Sequence, residues 1–385
     1  MSADTLVSII FRGNHFSGFS EIVIIDDGSS SSFYNFFRGF LGSLKSRKKE
    51  FDGYIGECFY KDGKCPCERE EKYSPSFSVE GRRRLRKHSA EPYRDVLLTN
   101  VSLSLCYKNR KKDIDFIILE AYPNKGAGTA RNLGIGFCSG KIIRFCDSDD
   151  FFFSPGKKTA GSKNILQGYY PMQTEEYYLF NNKIIRLNKK HFKKNGDIFT
   201  ESIRQNRITL SSFSLLKGQA DFLRRFYGED LFSDSLVMED YYFFLKLTVL
   251  FPVSLLPEKF SVKRGYSTVQ SLTKKHTNFE FFRIRGLTDF FFICMGHIIS
   301  GFARGNETGY PSLPHITGKT EKGFPDSVFW EQLFMRIREN KNIFMEEMVR
   351  KTLIWIKGVN KRGYNNSTRK NIIKIVLFFE LLFEL

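Results

Sequence analysis

The chain has 385 residues, which is long enough for about two domains and a sizeable hydrophobic core. Its 60 Lys and Arg residues exceed its 42 Asp and Glu residues, and the net charge of +18 favours phosphorylated, polyanionic or anionic-membrane partners. The seven cysteines are an odd number, and no apolar signal-type segment follows Met1. These features predict a cytoplasmic chain rather than a disulfide framework, and no apolar run of about 18 residues predicts a spanning helix.

The first elements predicted along the chain are two strands and a helix. The β-branched runs Leu6–Ile10 and Glu21–Ile25 predict the strands, and apolar residues at helical spacing predict a helix over Phe33–Leu44. Asp26–Ser29 (D-D-G-S) follows the second strand, where α/β sheets place their ligand loops. Residues 46–110 lose these patterns and carry an arginine-rich run, so they predict an insertion of irregular structure.

The alternation of strands and helices resumes after the insertion. The predicted elements are a strand over Ile114–Leu119, a loop at Pro123–Gly128, a helix over Thr129–Cys138 and a strand over Lys141–Phe145. This order predicts an α/β fold whose sheet is mostly parallel and flanked by helices.

The rest of the chain predicts two further regions. Residues 151–270 mix strands and helices, and residues 271–385 read as helical, with apolar stripes in 287–300 and 327–356. The apolar stretch Asn371–Leu385 is interrupted by charges and is too short to span a bilayer, so it is expected to dock on the core or at an interface. The predicted organisation is therefore 1–150 with its insertion, 151–270 and 271–385.

Three acidic residues lie within four positions directly after a predicted strand, at Asp147, Asp149 and Asp150. Like charges this close repel, and burial raises the cost, unless a cation is present. Mg²⁺ or Mn²⁺ resolves the conflict by taking one or two carboxylates and filling its other positions with phosphate oxygens and water. The alternative interpretation is a solvated acidic turn that caps a helix.

The ordered set of motifs resembles family 2 glycosyltransferases of the GT-A fold. D-D-G-S at Asp26–Ser29 is followed by N-x-G at Asn124–Gly126, A-R-N-x-G at Ala130–Gly134, D-x-D-D at Asp147–Asp150 and E-D at Glu239–Asp240. The resemblance covers about residues 5–45 and 113–270. It implies a GT-A fold and metal-dependent, inverting transfer from a nucleotide sugar, most simply a UDP-sugar, to a hydroxyl of a glycan or lipid-linked glycan.

The resemblance also implies roles for individual residues of the donor site. Asp26, Asp27 and Asn124 would lie at the nucleotide, and Arg131 would help to hold it. Asp147 would contact the ribose or the metal, and Asp149 would ligate the metal.

The catalytic carboxylate is expected at Asp240, because inversion requires a base opposite the leaving group to take the acceptor's proton. Glu239 would bind the acceptor beside it. Read without the family pattern, these acids suit the N-terminus of a helix equally well. Arg264 would close over the diphosphate, or belong to a solvated basic loop.

One departure from the family pattern lies near the start of the chain. Only ten residues separate Ile10 from Glu21, whereas two parallel neighbouring strands need a crossover of a dozen or more. A catalytically degenerate protein that binds a sugar nucleotide is therefore an alternative, as is a nucleotidyltransferase.

A basic protein that binds nucleic acid is the rival from another class, but no nucleic-acid motif supports it. Cys58, Cys65, Cys67 and His88 do not have paired zinc-ligand spacing. The charge and the apolar C-terminal stretch instead predict peripheral contact with an anionic membrane on its inner face.

Overall fold

The computed structural model describes residues 3–7, 9–10, 21–50, 73–85, 92–107, 110–153, 172–180, 183–187, 197–204, 208, 210–228, 230–234, 238–264, 279–304, 327–344, 346–348 and 350–351. The chain divides into two compact units. The first comprises Met1–Lys194, Leu210–Lys217 and Ser254–Ser267, and the second comprises Asn195–Thr209, Gly218–Val253 and Thr268–Leu385.

In the described residues, the first unit contains two sheets, three helices with bounds given below and a further helical stretch at 44–50. Its elements are α1 (Ala3–Val7), β1 (Glu21–Asp27), α2 (Phe33–Gly42), β2 (Tyr73–Arg84), β3 (Asp95–Tyr107), β4 (Arg110–Tyr122), α3 (Ala127–Phe137), β5 (Ile142–Arg144), β6 (Phe151–Phe153), β7 (Met172–Phe180), β8 (Lys183–Leu187), β9 (Phe213–Leu216) and β10 (Ser254–Arg264). The four-stranded sheet has the order β1-β4-β3-β2, and the six-stranded sheet has the order β5-β9-β7-β10-β6 with β8 paired to β7.

The four-stranded sheet is packed on both faces, because successive side chains along its strands lie on opposite faces of the sheet. Ile22 and Ile24 of β1 belong to the core on the side of α2, where Phe37 lies 4.8 Å from Phe116 of β4, centroid to centroid. On the other face, Val23 and Ile25 belong to a second cluster that includes Leu133 and Phe137 of α3. The period of two in β1 therefore places one helix on each side of the sheet.

The mixed α/β class predicted from the sequence is confirmed, but the sheet is not mostly parallel. Strand β1 runs parallel to β4, with Glu21 opposite Asp115 and Asp27 opposite Ala121. Strands β2, β3 and β4 are antiparallel to one another, as are all pairs of the second sheet except β7 with β10. Only two residues separate β3 from β4, and so short a connection requires an antiparallel pair.

Two local predictions need correction. The run Leu6–Ile10 is not a strand, because Ala3–Val7 forms α1 and residues 9–10 are also helical. A short apolar run without alternation suits either structure, and the ten residues before β1 are too few for a parallel crossover. The stretch 46–110, expected to be irregular, contains β2 and β3, which complete the sheet.

The second unit is helical in the residues described. Its helices are α4 (Phe199–Arg204), α5 (Lys217–Tyr227, from Gly218 on), α6 (Glu239–Thr248), α7 (Phe279–Arg304) and α8 (Ser327–Glu339). Phe199 of α4 packs against Phe290 and Phe344, with ring centroids 5.9 and 6.0 Å away. The helical patterns predicted for 287–300 and 327–356 are confirmed where they are described, and Asn371–Leu385 lies outside the described residues.

Helix α6 is buried on all sides from Tyr241 to Thr248, including Lys246. The Lys246 ammonium donates a hydrogen bond to the carbonyl oxygen of Asp230 at 2.9 Å and lies 4.5 Å from the Tyr242 ring centroid. These two interactions compensate for the loss of hydration of the buried charge. None of the helices in the described ranges is both long enough and apolar enough to cross a membrane.

The α2 face of the sheet supplies a test of the packing. Phe37 is fully buried against Phe116, so Phe37→Ala is expected to lower the free energy of unfolding by about 3–5 kcal/mol. Phe36 on the same helix is 43% exposed, and Phe36→Ala is the matched control, expected to cost about 1 kcal/mol. Urea unfolding measures both, and equal losses in the two variants would contradict this packing.

Candidate functional site

Asp27, at the carboxyl end of β1, is held by four hydrogen bonds. Its carboxylate accepts from the backbone N–H groups of Lys125 and Gly126, at 2.9 and 2.8 Å, and from the Tyr93 hydroxyl at 3.0 Å. Its carbonyl oxygen accepts from the side-chain amide of Asn124 at 2.6 Å. The D-D-G-S and N-x-G motifs, about a hundred residues apart in the chain, are therefore joined at this one residue.

These bonds explain why an aspartate lies at this position. The N–H groups of Lys125 and Gly126 lead into the N-terminus of α3, and a helix N-terminus favours a negative charge. Asp27 supplies that charge from within the protein. It therefore acts as a positioning residue for the 123–126 loop.

Two glycines of the motifs allow the close contacts that this arrangement needs. Gly28 has a φ of +76°, and a Cβ there would lie 2.8 Å from the backbone nitrogen of Asn124. Gly134 of α3 faces β1, where a Cβ would lie 3.4 Å from the side chain of Ile25. A side chain at position 28 would therefore push the loop away from the strand, whereas a Cβ at position 134 would only reach ordinary contact with Ile25.

Tyr93 contacts Asp27 from a buried position. Its side chain is only 2% exposed. Burial, the negative charge of Asp27 and the hydrogen bond to it raise the pKa of the Tyr93 hydroxyl well above its usual range. Tyr93 is thus a neutral donor to Asp27 at physiological pH.

Asp26 and Glu120 are directly opposite in the parallel pair of β1 and β4, on the face that carries α2. The Asp26 carboxylate accepts from the backbone N–H of Ser29 at 3.3 Å, a local turn within D-D-G-S. Glu120 accepts from the Ser32 hydroxyl at 2.6 Å and from the Arg82 guanidinium at 3.1 Å. Strand β2, from the predicted insertion, therefore brings a cation to the edge where D-D-G-S ends.

The acidic loop, defined here as residues 147–150, follows β5 and is tied to α3. The Arg131 guanidinium and Asp147 Oδ1 form an ion pair at 2.9 Å, with the Asp147 side chain 35% exposed. The Asp147 N–H donates to the Ser211 hydroxyl at 3.0 Å, and the Asp150 N–H closes a turn onto the Asp147 carbonyl at 3.1 Å. Asp149 is exposed, whereas Asp150 is buried. Two carboxylates, Asp147 and Asp149, therefore have access to solvent.

The residues just before the acidic loop include a cation, Arg144, and a thiol, Cys146. Burial lowers the pKa of Arg144 to about 9, and its guanidinium lies 4.0 Å from the Phe152 ring centroid. Burial and the negative charges of the loop, chiefly Asp150, raise the pKa of the Cys146 thiol well above its ordinary value. The positive charge of Arg144 acts in the opposite direction on the Cys146 pKa and offsets part of this effect.

The remaining predicted site residues lie elsewhere. Glu239 and Asp240 begin α6 in the second unit, where Asp240 Oδ1 accepts from the backbone N–H of Tyr241 at 2.7 Å. Acids in a first helical turn are favoured by the helix dipole whatever else they do. Arg264 is the last residue of β10, opposite Leu179 of β7, and its side chain lies outside the described part of the chain.

Sequence reasoning missed four residues that hold these motifs in place. They are Thr5, Tyr93, Glu120 and Ser211, each bonded to a partner at least 60 residues away. Nothing in a single sequence marks such pairs, because their spacing along the chain follows from the fold rather than from a local period.

Among the described residues, no group of three or more His, Cys, Asp or Glu side chains is arranged to hold a metal ion. The chain matches no protein-family model and no curated protein.

The hydrogen bond between Tyr93 and Asp27 gives the first prediction for this site. Tyr93→Phe removes one of the three donors to the Asp27 carboxylate, and a hydrogen bond to a charged group is worth about 1.5–3 kcal/mol. We expect that loss in the free energy of unfolding, measured in urea. Tyr34→Phe, a half-buried tyrosine of α2, is the control and is expected to lose less than about 0.5 kcal/mol. Equal losses would mean that the bond to Asp27 contributes nothing.

The raised pKa of Tyr93 gives a second prediction, on pH. A native hydroxyl that keeps its proton contributes stability in full below about pH 10, the pKa of an unfolded tyrosine. As pH rises above that value, the unfolded state releases the proton first and the native state is destabilised. The stability advantage of the wild type over Tyr93→Phe should therefore shrink between pH 9 and about pH 11. An advantage that stays constant with pH would contradict the raised pKa.

Proposed function

We propose that this chain is a metal-dependent glycosyltransferase with a nucleotide-sugar site of the GT-A type. The observation that carries the proposal is the pairing of its motifs in space. Asp27 joins D-D-G-S to N-x-G, and the Arg131–Asp147 ion pair joins A-R-N-x-G to D-x-D. Both contacts are made by motif residues at the N-cap or within the first two turns of α3, which favours a single site over four unrelated turns.

The acidic loop has the donor chemistry that Mg²⁺ or Mn²⁺ requires. Asp147 and Asp149 offer carboxylate oxygens with access to solvent, and these ions commonly take one or two carboxylates and leave other positions to water and phosphate. The ion pair with Arg131 uses Asp147 Oδ1, so Asp147 would offer its second oxygen to the cation. A bound cation would supply neutralisation of the charge that develops on the diphosphate leaving group.

The roles of the protein side chains follow from their positions. Arg131 lies about 8 Å from Gly126 along the axis of α3, and its guanidinium, already paired with Asp147, would help to hold the diphosphate. Asp26 is the member of D-D-G-S left for the nucleotide, because Asp27 is engaged with the loop and Tyr93. Arg264, at the end of β10, would bind the diphosphate.

Asp240 would act as the general base for the acceptor hydroxyl, and Glu239 would orient the acceptor beside it. Asp240 lies in the first turn of α6, and a carboxylate is a group that can take the proton of an acceptor hydroxyl. We propose a UDP-sugar as donor and a glycan or lipid-linked glycan as acceptor, at the inner surface of a membrane. The net charge of +18 supports attraction to anionic headgroups there.

A screen of nucleotide sugars, scored by release of the nucleoside diphosphate, tests the proposal. We expect turnover that requires Mn²⁺ or Mg²⁺ and stops with a chelator. Asp149→Ala and Asp240→Asn should each lower kcat by about a hundredfold or more, as loss of a cation ligand or a general base does.

Matched controls are available in both units. Asp95→Ala removes an exposed carboxylate of the first unit whose partner is Arg84, and Asp221→Asn changes a half-buried one of the second, outside all the motifs. Both should keep the wild-type rate. Chelator-resistant turnover, or full activity of Asp149→Ala, would overturn the metal assignment. Full activity of Asp240→Asn would overturn the base assignment alone.

A further inference from the structure

Helix α1 contacts the acidic loop through one side chain. The Thr5 hydroxyl donates to the carbonyl oxygen of Ser148 at 3.1 Å, across 143 positions of sequence, and Thr5 is completely buried. Ser148 is the residue between the two solvent-accessible carboxylates of the loop, Asp147 and Asp149.

The helix that carries Thr5 is firmly packed. Leu6, Val7 and Ile10 are buried, and they belong to the same hydrophobic cluster as Phe152, against which Cys146 also packs. The core of the first unit therefore packs α1 together with the residues that flank the acidic loop, Cys146 before it and Phe152 after it. A hydroxyl on such a segment keeps one position, so its hydrogen bond orients its partner rather than following it.

The bond to Ser148 acts directly on Asp149. The Ser148 carbonyl and the Asp149 nitrogen belong to one planar peptide unit, so a fixed carbonyl limits the rotation of both residues. The direction of the Cα–Cβ bond of Asp149 depends on that rotation. On the other side, Asp147 is already held by Arg131 and Ser211. Thr5 holds the other half of the loop, which carries Asp149, through its bond to Ser148.

We propose that Thr5 is a positioning residue that sets the direction of the Asp149 carboxylate and thereby strengthens divalent-cation binding by the acidic loop. This inference rests on the proposed function, since it assigns the loop as the cation site. It gives the N-terminal helix, which lies where the sequence predicts a strand, a role in that site. Asp149 remains the ligand, and Thr5 acts through it.

The test is Mn²⁺ binding to the full chain without nucleotide, measured by calorimetry. Two pairs of proteins differ in whether residue 5 carries a hydroxyl. The first pair is the wild type and Thr5→Val, and the second is Thr5→Ser and Thr5→Ala. In each pair the member without a hydroxyl should bind Mn²⁺ about three- to tenfold more weakly, the factor expected from one lost hydrogen bond. Thr5→Ser should bind within about twofold of the wild type, since it keeps the donor.

Thr288→Val is the control for a threonine hydroxyl lost elsewhere. Thr288 donates to the Ile284 carbonyl within α7 of the second unit, so its loss should leave Mn²⁺ affinity unchanged. Circular dichroism shows that each variant is folded, and the serine–alanine pair serves if valine is not accepted. Equal affinity of both members of each pair would overturn the role of Thr5 while leaving the metal site intact. Absence of Mn²⁺ binding by the wild type would overturn the metal site, and the role of Thr5 with it.

Discussion

The carboxylate of Asp27 connects a strand end, a loop and a helix N-terminus. Its acceptance of two backbone N–H groups beside α3, together with the bond from Tyr93, fixes the 123–126 loop against β1. Once α3 is fixed at this end, Arg131 on its second turn reaches Asp147, and the acidic loop takes its place. The rest of the proposed site depends on this one half-buried anion and the three donors around it.

The charges of the site are arranged so that few are left uncompensated. Arg131 pairs with Asp147, Arg82 pairs with Glu120, and the charge of Arg144 acts on Cys146, just before the acidic loop, against the charges of the loop. Asp149 is the acid of the loop that is left exposed. Because Asp150 is buried and Asp147 is already paired with Arg131, Asp149 is the carboxylate of the loop with the most access to solvent.

The sequence was sufficient for the elements with a clean local period. Strand β1, helix α2 and helix α3 agree with their predictions to within a few residues, because their apolar positions repeat at two or at about three and a half. Strand β3 carried a usable signal too, since Val101, Leu103 and Leu105 alternate with Asn100, Ser102 and Ser104, but a charged and cysteine-containing neighbourhood masked it. Helix α1 had no such signal, as its apolar run is too short to distinguish helix from strand.

The candidate site was predictable in its motifs and not in its supports. Asp26, Asn124, Arg131 and Asp147 were expected from their order along the chain, whereas the role of Asp27 as an internal anchor required the positions of Lys125, Gly126 and Tyr93. Thr5, Glu120 and Ser211 are supports contributed by distant segments. The residues of a motif can be recognised in a single sequence, whereas contacts between distant segments are seen only in the folded structure.

The central claim is that the acidic loop and the carboxyl end of β1 form one site for a nucleoside diphosphate and a divalent cation. Calorimetric titration of the full chain with UDP, in the presence and in the absence of Mn²⁺, tests it most directly. The account predicts saturable one-site binding that tightens by at least about tenfold with Mn²⁺, since the cation joins phosphate oxygens to Asp147 and Asp149. UDP binding that is absent in both conditions, or unchanged by Mn²⁺, would contradict it.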